Sequence, residues 1–222
     1  MLSQGPVKPG ETPEAPRTTI FHEMIHQWVG MIDAPMGVSS WFSEGLTTYY
    51  QDLLQVRGGF ETLSNYQSAI NKLFESYYTS KARNWSADAI TKVGFSDEEV
   101  RHTPYLRSAL YFYDLDARIR QKSRGKRTLK DMIFPMFISR EKGEKFDTSK
   151  WISMVVAELG PQEEDHFEKL VIDGSLTIEP RADLFGPCFA RQVASFNHDG
   201  KVISGYRWAL KRGIRETVCR AY

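Results

Sequence analysis

The sequence predicts a mainly α-helical fold with a short β-rich segment at its C-terminal end. Two observations carry this prediction. Apolar residues recur at helical spacing in several stretches between residues 18 and 171, which is the pattern of amphipathic helices. After Asp173-Gly174, short apolar runs alternate with glycine- and proline-containing turns, as in strands joined by tight turns. At 222 residues, 41% hydrophobic and 26% charged, the chain has the composition of an ordinary globular protein.

The first predicted helix spans residues 18–30, with Thr18 or Thr19 as its N-cap. A loop over 30–39 leads to a second helix from about 40 to 56, which ends at Arg57-Gly58-Gly59 because glycine often follows the last helical residue. The buried face of the first helix is indicated by apolar residues about one turn apart: Phe21, Ile25, Trp28 and Val29.

Further helices are predicted from the same spacing, at 60–78, 104–122, 128–139, 149–159 and 162–171. Pro104 begins the second of these, since proline is tolerated in a first turn, whereas residues 80–102 are polar and irregular. Thr148 or Ser149 is the expected cap of the helix at 149–159. Asp199-Gly200 is a hairpin signal that joins Arg191–Asn197 to Lys201–Tyr206.

The first helix contains an H-E-x-x-H sequence, with His22, Glu23 and His26 at its fixed positions. Residues four apart lie on one helix face, so the two histidines can hold one metal ion. Glu44 lies 18 positions after His26, within the second helix, and is the natural third ligand. Since catalytic zinc keeps three protein ligands and one open position, these residues predict a catalytic Zn²⁺ centre.

The expected chemistry is hydrolysis of peptide bonds. Zinc lowers the pKa of its water from about 15.7 to about 7, and Glu23 takes the proton and passes it to the leaving amine. The alternative interpretation is a surface helix with two solvated histidines. The apolar residues that flank the motif argue against it, because a helix with a buried face has little room for idle polar groups.

The motif and its surroundings resemble the gluzincin metallopeptidases. H-E-x-x-H-x-W from His22, and W-F-S-E-G-L-T-T-Y-Y from Trp41, are most similar to the PDZ-bearing glycyl aminopeptidase family, metallopeptidase family sixty-one. The large neutral aminopeptidases and leukotriene hydrolase are more distantly similar. Residues 103–110 resemble that family's P-Y-x-K-G-A-L, and residues 167–174 more weakly resemble F-x-x-Y-V-x-G. The resemblance implies a mainly α, thermolysin-like gluzincin catalytic domain.

Carried over residue by residue, the resemblance makes His22, His26 and Glu44 the zinc ligands, Glu23 the base and Tyr105 the donor to the oxyanion. A phenol near a polarised carbonyl can stabilise developing negative charge. Without the resemblance, Tyr105 would be interpreted as an aromatic residue packed in the core. Two departures from the family pattern follow it: Arg107 replaces the usual lysine, and Ser108 replaces glycine.

Ligating histidines usually donate their second ring N–H to an acceptor. Thr48 and Asp52, one and two turns after Glu44, are candidates for this role, and ordinary helix surface is the alternative for both.

Three parts are expected: a flexible Pro/Gly-rich segment over 1–17, a helical zinc-peptidase catalytic domain over 18–174, and a β-rich segment over 175–222. In the resembled family, a β-rich domain with an edge strand that reads the amino terminus of the substrate precedes the zinc helix. We therefore expect a fragment or a short relative, with an upstream β-rich domain as a candidate partner and a peptide as substrate. Aminopeptidase activity is the first expectation; a zinc endopeptidase and a truncated, non-catalytic zinc- or peptide-binding domain are the alternatives.

Charge and composition bear on other classes of function. The net charge of +1 gives no electrostatic case for binding nucleic acid or an anionic membrane, and the basic cluster over 118–130 is interpreted as a solvated helix end. No apolar run approaches the roughly 20 residues that span a bilayer, and the first residues lack the apolar core of a signal peptide. We expect a soluble protein. The sequence does not determine its compartment, and it slightly favours the cytoplasm over the periplasm. The spacing of Cys188 and Cys219 does not indicate a bridge, and their pairing stays open.

Overall fold

A computed structural model describes residues 17–35 and 38–222 of the protein. The predicted mainly α-helical fold with a small β segment is confirmed. The predicted segment 1–17 lies outside the described residues except for Arg17, which begins the first helix. Within the described ranges the elements are α1 (Arg17–Ile25), α2 (Ser40–Arg57), α3 (Leu63–Thr79), α4 (Ala87–Gly94), α5 (Glu98–Ser123), α6 (Lys130–Glu141), α7 (Thr148–Leu159), α8 (Gln162–Phe167), β1 (Phe189–His198), β2 (Lys201–Leu210) and α9 (Glu216–Ala221).

Helices α2 and α5 form the centre of the molecule. Both carry long runs of buried residues, and they approach each other most closely where Gly45 faces Ser108. Trp41 of α2 packs edge-on against Phe167, with ring centroids 4.8 Å apart, and against Trp151 of α7. The aromatic core therefore fixes α2, and α2 carries one of the candidate metal ligands.

The first helix is shorter than predicted. It ends at Ile25, and residues 26–28 continue as turns in which Val29 N–H donates to the Ile25 carbonyl at 3.0 Å. Thr18 and Thr19 lie inside α1, so the prediction of either as N-cap is wrong. Trp28 is 66% exposed, whereas Ile25 and Val29 are buried, so the predicted buried face is correct at those two positions and wrong at the tryptophan.

Helix α5 begins six residues before the predicted start at Pro104. Asp97 caps it by accepting a hydrogen bond from Val100 N–H at 3.3 Å, and Glu98 and Glu99 occupy its first turn, where negative charge is favoured. Pro104 lies inside the helix. The segment expected to be irregular also contains α4, whose N-cap is Ser86.

Other helix starts are set by side-chain caps near the predicted boundaries. Thr62 caps α3, so Phe60, expected inside that helix, lies before it and is exposed. Asp147 caps α7, so the prediction of Thr148 or Ser149 as its cap is wrong. Helix α8 ends at Phe167, and a π-helical stretch over Glu168–Ile172 completes the predicted helix.

The predicted hairpin is confirmed and is longer than expected. Strands β1 and β2 pair antiparallel, with Phe189 opposite Leu210 and His198 opposite Lys201. Asp199 and Gly200 both have positive φ, at 48° and 72°, as a type I′ turn requires. The hairpin packs on α3, where the Asn71 amide exchanges hydrogen bonds with the backbone of Trp208 at 2.7 and 2.9 Å.

Two interactions hold peripheral segments to this framework. A Cys188–Cys219 disulfide joins the start of β1 to α9. The buried Arg107 guanidinium donates to the carbonyls of Ala82, Arg83, Trp85 and Val171, which ties the segment before α4 to α5. No helix in the ranges described is long and apolar enough to cross a membrane.

Candidate metal centre

Helices α1 and α2 bring the three predicted ligands together. Glu44 Oε2 lies 3.2 Å from His22 Nε2 and 3.3 Å from His26 Nε2. One ligand atom from each residue falls within 4.8 Å of the others, and among the described residues this is the group of histidines and acids that could hold a metal ion. The rings of the two histidines meet edge-on, with centroids 4.9 Å apart.

The local sequence explains why the histidines converge. His22 lies in the last turn of α1, and His26 follows the last residue of that helix. The bond from Val29 N–H to the Ile25 carbonyl continues the turn, so the two rings stay on one side. Buried Ile25 and Val29 anchor this stretch against the core, and the imidazoles therefore face α2.

The second nitrogen of each imidazole is also engaged. His22 Nδ1 lies 2.8 Å from Gln51 Oε1, and His26 Nδ1 lies 3.2 Å from the Val29 carbonyl. Thr47 Oγ1 is 3.3 Å from the same His26 nitrogen. A carbonyl oxygen can only accept, so each Nδ1 donates to its partner, and Nε2 is the nitrogen of each ring that faces Glu44 and is left to bind a metal ion.

These partners differ from the predicted Thr48 and Asp52. Within the described part of the chain neither of those residues bonds directly to a histidine; Thr48 lines the cleft, and Asp52 reaches the site through Gln51 at 3.3 Å. At about 100° per residue, the seventh residue after Glu44 points within about 20° of it, and the eighth points about 80° away. This helix geometry could have favoured Gln51 over Asp52 as the hydrogen-bond partner of His22.

Charge and burial act against each other on the two closest groups. Burial alone would lower the pKa of His22, but hydrogen bonds to Glu44 and Gln51, with the charges of Glu44 and Glu23, outweigh it and raise that pKa. Burial would raise the pKa of Glu44, but its bond to His22 and the nearby His26 lower it. Each shift favours the charged form of its group, so an ionised Glu44 carboxylate faces a His22 ring that holds its proton more firmly than an ordinary histidine.

Tyr105 and Glu23 lie at the same site. The Tyr105 ring stacks on His22, with centroids 6.0 Å apart and planes 18° apart, and its hydroxyl bonds to the Glu44 carboxylate. Burial and the charge of Glu44 raise the pKa of Tyr105 well above its usual value, so the phenol keeps its proton at neutral pH. Glu23 is exposed, lines the same cleft, and its charge acts on both His22 and Tyr105.

The cleft over these residues has a volume of about 1280 Å³. The first two turns of α5 present Glu98, Arg101, His102 and Tyr105 to it, and α3 contributes Lys72. Sequence reasoning missed Arg101, His102 and Lys72. The predicted helix start at Pro104 left Glu98, Arg101 and His102 outside the helix. In the structure Arg101, His102 and Tyr105 follow Glu98 by three, four and seven residues, which puts all four on one helix face.

Two imidazole nitrogens and one carboxylate oxygen are a donor set that suits a divalent transition metal such as zinc. The exposed carboxylate of Glu23 and the protonated phenol of Tyr105 add a proton acceptor and a hydrogen-bond donor beside it. This arrangement can bind a metal ion and carry out acid–base chemistry on a polar bond in an open cleft.

Comparison with known proteins agrees with this class of site. Residues 16–114, which include every candidate site residue, match the model of the M61 glycyl aminopeptidase family. The resemblance inferred from the sequence is thereby confirmed over that stretch, and the match supports a peptidase.

Among solved structures, an aminopeptidase N family protein from Idiomarina loihiensis is similar, with a TM-score of 0.63 and 17% sequence identity. The match covers 89% of this chain and 38% of that one, so this chain spans well under half of its length. At this identity the likeness shows the fold alone. Among curated proteins no match was found.

Proposed function

We propose that the protein is a zinc-dependent peptidase that hydrolyses peptide bonds as an aminopeptidase. The observation that carries the proposal is the convergence of the two Nε2 atoms on Glu44 Oε2, at 3.2 and 3.3 Å, with both Nδ1 atoms engaged elsewhere. A surface helix with idle histidines would not need this double engagement. His22, His26 and Glu44 would hold the ion.

When bound, zinc supplies Lewis acidity, which polarises a carbonyl oxygen and acidifies water. Glu23 lies on α1 beside His22 and lines the cleft, which supports a role in which it would take a proton from the attacking water and give it to the leaving amine. Tyr105 keeps its proton and donates to the substrate oxygen as negative charge develops there. Its hydroxyl would then have to leave the Glu44 carboxylate, to which it bonds in this structure.

One observation favours endopeptidase activity as a second candidate. The cleft is large and open, so a peptide chain could lie across it in both directions from the metal centre. An aminopeptidase also needs an acid that binds the free amine of its substrate. Glu98 lines the cleft, but its carboxylate lies 3.8 Å from the Arg101 guanidinium, which competes for it.

We also propose that a partner surface covers α1. Ile20, Met24, Trp28 and Met31 are exposed although they are large and apolar, and their spacing places them along one side of α1 and the turn that follows. A β-rich domain, which precedes the zinc helix in the resembled family, is the partner that suits this face. Addition of such a domain should shift Trp28 fluorescence to shorter wavelength, and an unchanged emission spectrum would count against the pairing.

The disulfide bears on the compartment. Bonds of this kind persist in oxidising surroundings and are rare in the cytoplasm. The Cys188–Cys219 bond thus supports an oxidising compartment rather than the cytoplasm expected from the sequence.

The proposed function is tested with aminoacyl-coumarin substrates and internally quenched peptides, with zinc supplied. Glu23→Gln should reduce turnover by about 10²- to 10⁴-fold, the usual contribution of a general base, and should still bind zinc. Glu144→Gln, an exposed glutamate outside the cleft, is the matched control. Wild-type turnover in Glu23→Gln would refute the assigned mechanism, and cleavage of quenched peptides alone would identify an endopeptidase.

Zinc binding without cleavage of either kind of substrate would favour the remaining alternative, that the protein is a non-catalytic zinc- or peptide-binding domain. His26→Ala separates this case from a failure of the ligand assignment. It should lose zinc in either case, and full zinc occupancy in this variant would show that the ligands lie elsewhere.

A further inference from the structure

The two histidines of the metal centre are held by different kinds of partner. His26 Nδ1 faces a main-chain carbonyl, that of Val29, at 3.2 Å. His22 Nδ1 faces a side-chain amide, that of Gln51, at 2.8 Å. A backbone carbonyl can only accept a hydrogen bond, whereas an amide can accept with its oxygen or donate with its nitrogen. Whether His22 Nδ1 carries a proton therefore depends on whether the oxygen or the nitrogen of the Gln51 amide faces it.

The two orientations of the Gln51 amide have opposite effects on His22. With Oε1 toward the ring, Nδ1 carries a proton, and Nε2 is the nitrogen left to bind a metal ion. With the amide turned over, its NH₂ group would donate to Nδ1, and the ring proton would move to Nε2. A protonated Nε2 cannot bind a metal ion, so the second orientation would block the site.

Asp52 favours the first orientation. Gln51 Nε2 donates to Asp52 Oδ2 at 3.3 Å, and an ionised carboxylate can only accept. Among the described residues, no lysine, arginine or histidine lies within ion-pair distance of Asp52.

We propose that Gln51 and Asp52 act as positioning residues, in which Asp52 holds the Gln51 amide in one orientation and Gln51 thereby fixes the tautomer of His22. The inference rests on the proposed zinc centre and goes beyond it, because it assigns control of metal affinity to a side chain that contacts no substrate. His26 needs no such pair of residues, because its Nδ1 faces a main-chain carbonyl, which can only accept a hydrogen bond.

The test compares zinc dissociation constants, measured by competition with a chromophoric chelator, in the full chain and its variants. Gln51→Met removes the acceptor at similar volume and should weaken zinc binding by roughly 10- to 100-fold, the range seen when partners of metal ligands are removed. Gln51→Glu keeps an acceptor that has no donating orientation and should bind zinc at least as tightly as wild type.

Gln55→Met is the matched control. Gln55 is a buried glutamine on α2, one turn after Gln51, and its side-chain amide donates to the Gln51 main-chain carbonyl. It should bind zinc within a few-fold of wild type even if it is less stable. Equal zinc affinity in Gln51→Met and wild type, or equal losses in Gln51→Met and Gln55→Met, would overturn the inference.

A double-mutant cycle tests the role of Asp52. Asp52→Leu should weaken zinc binding in the wild-type background, because the Gln51 amide can then turn over. In the Gln51→Glu background the same change should not weaken it, since a carboxylate has no second orientation. A purely structural role for Asp52 predicts the same loss in both backgrounds, and that result would overturn the assignment.

Nitrogen-15 shifts of the His22 ring report its tautomer in the metal-free protein. Nδ1 should be protonated in wild type and should exchange between protonated and unprotonated forms in Gln51→Met; an unchanged spectrum in the variant would overturn the inference. This measurement needs neither zinc nor activity. It therefore distinguishes a failure of the inference about Gln51 and Asp52 from a failure of the proposed function. The second failure would appear as a wild-type protein that binds no zinc.

Discussion

Replacement of Gly45 by alanine should disturb the contact on which the metal centre depends. Gly45 follows the candidate ligand Glu44 on α2, where that helix lies closest to α5. A Cβ built at Gly45 would lie 2.3 Å from Ser108 Cβ and 3.1 Å from its carbonyl carbon. Carbon atoms in contact normally lie about 3.5–4.0 Å apart, so the helices would have to separate by about 1 Å.

The size of the effect follows from two opposing contributions. Overpacking usually costs about 1–3 kcal/mol, and this contact lies at the upper end because both atoms belong to rigid helix positions. Alanine in place of glycine stabilises a helix interior by about 0.5–1 kcal/mol. The net loss for Gly45→Ala is then about 2 kcal/mol, which for a domain of this length corresponds to a fall in Tm of roughly 4–8 °C.

Thermal and urea unfolding measure this loss, and zinc affinity reports whether Glu44 has moved. Ser108→Gly supplies the control, since it removes the nearest atom and should relieve the clash when combined with Gly45→Ala. The coupling between the two changes should exceed about 1 kcal/mol, as for other residues in direct contact. Unfolding of Gly45→Ala at the wild-type temperature, or strictly additive effects, would refute the reasoning.

Three further predictions concern the catalytic donor, the disulfide and a buried histidine. Tyr105→Phe should reduce kcat by about 10²- to 10³-fold, with KM and zinc affinity near wild type, because it removes one donor to the developing charge. Loss of the Cys188–Cys219 bond, which closes a sequence separation of 31 residues, should lower the free energy of unfolding by about 3–4 kcal/mol. His166 makes stability fall as the pH drops from about 7 toward 5. Burial, with the nearby Arg118, lowers its folded pKa below the value of about 6.5 that is usual for histidine, so protonation favours the unfolded chain.

Each of these predictions has a direct check. Tyr50→Phe controls for Tyr105→Phe, since the buried Tyr50 hydroxyl has no hydrogen-bond partner among the described residues, and equal kcat values in the two variants would contradict the assigned role. Reduced wild-type protein should unfold like the double serine variant of Cys188 and Cys219. His166→Gln should flatten the pH dependence of the urea midpoint, and a parallel curve would exclude this histidine as its cause.

The convergence of His22, His26 and Glu44 could be predicted from the sequence because it depends on local helix geometry. Their spacing brings them together once both helices form, and the apolar positions of α2 predict that helix well. Helical spacing also favours Gln51 over Asp52, because the seventh residue after Glu44 points within about 20° of it. Counting turns of four residues led instead to Thr48 and Asp52, and each such turn adds an error of about 40°.

The errors at α5 and in the disulfide have different physical causes. Pro104 suggested a first turn, but the Asp97 cap and the packing of the long helix outweigh one missing backbone hydrogen bond. Cys188 and Cys219 come together only because α9 folds back on the start of β1, a contact between distant segments. No local pattern in the sequence reports such a contact.

The aromatic core around Trp41 bears on whether the fold depends on a metal ion. The helices that carry the candidate ligands are fixed by apolar packing and by the Gln51 and Val29 hydrogen bonds, so their positions do not depend on the proposed zinc ion. In small zinc domains the binding energy of the metal is the folding energy, and removal of the metal unfolds the chain. Under the proposed function this chain should instead stay folded when zinc is removed, so that metal supply would control activity without loss of the protein.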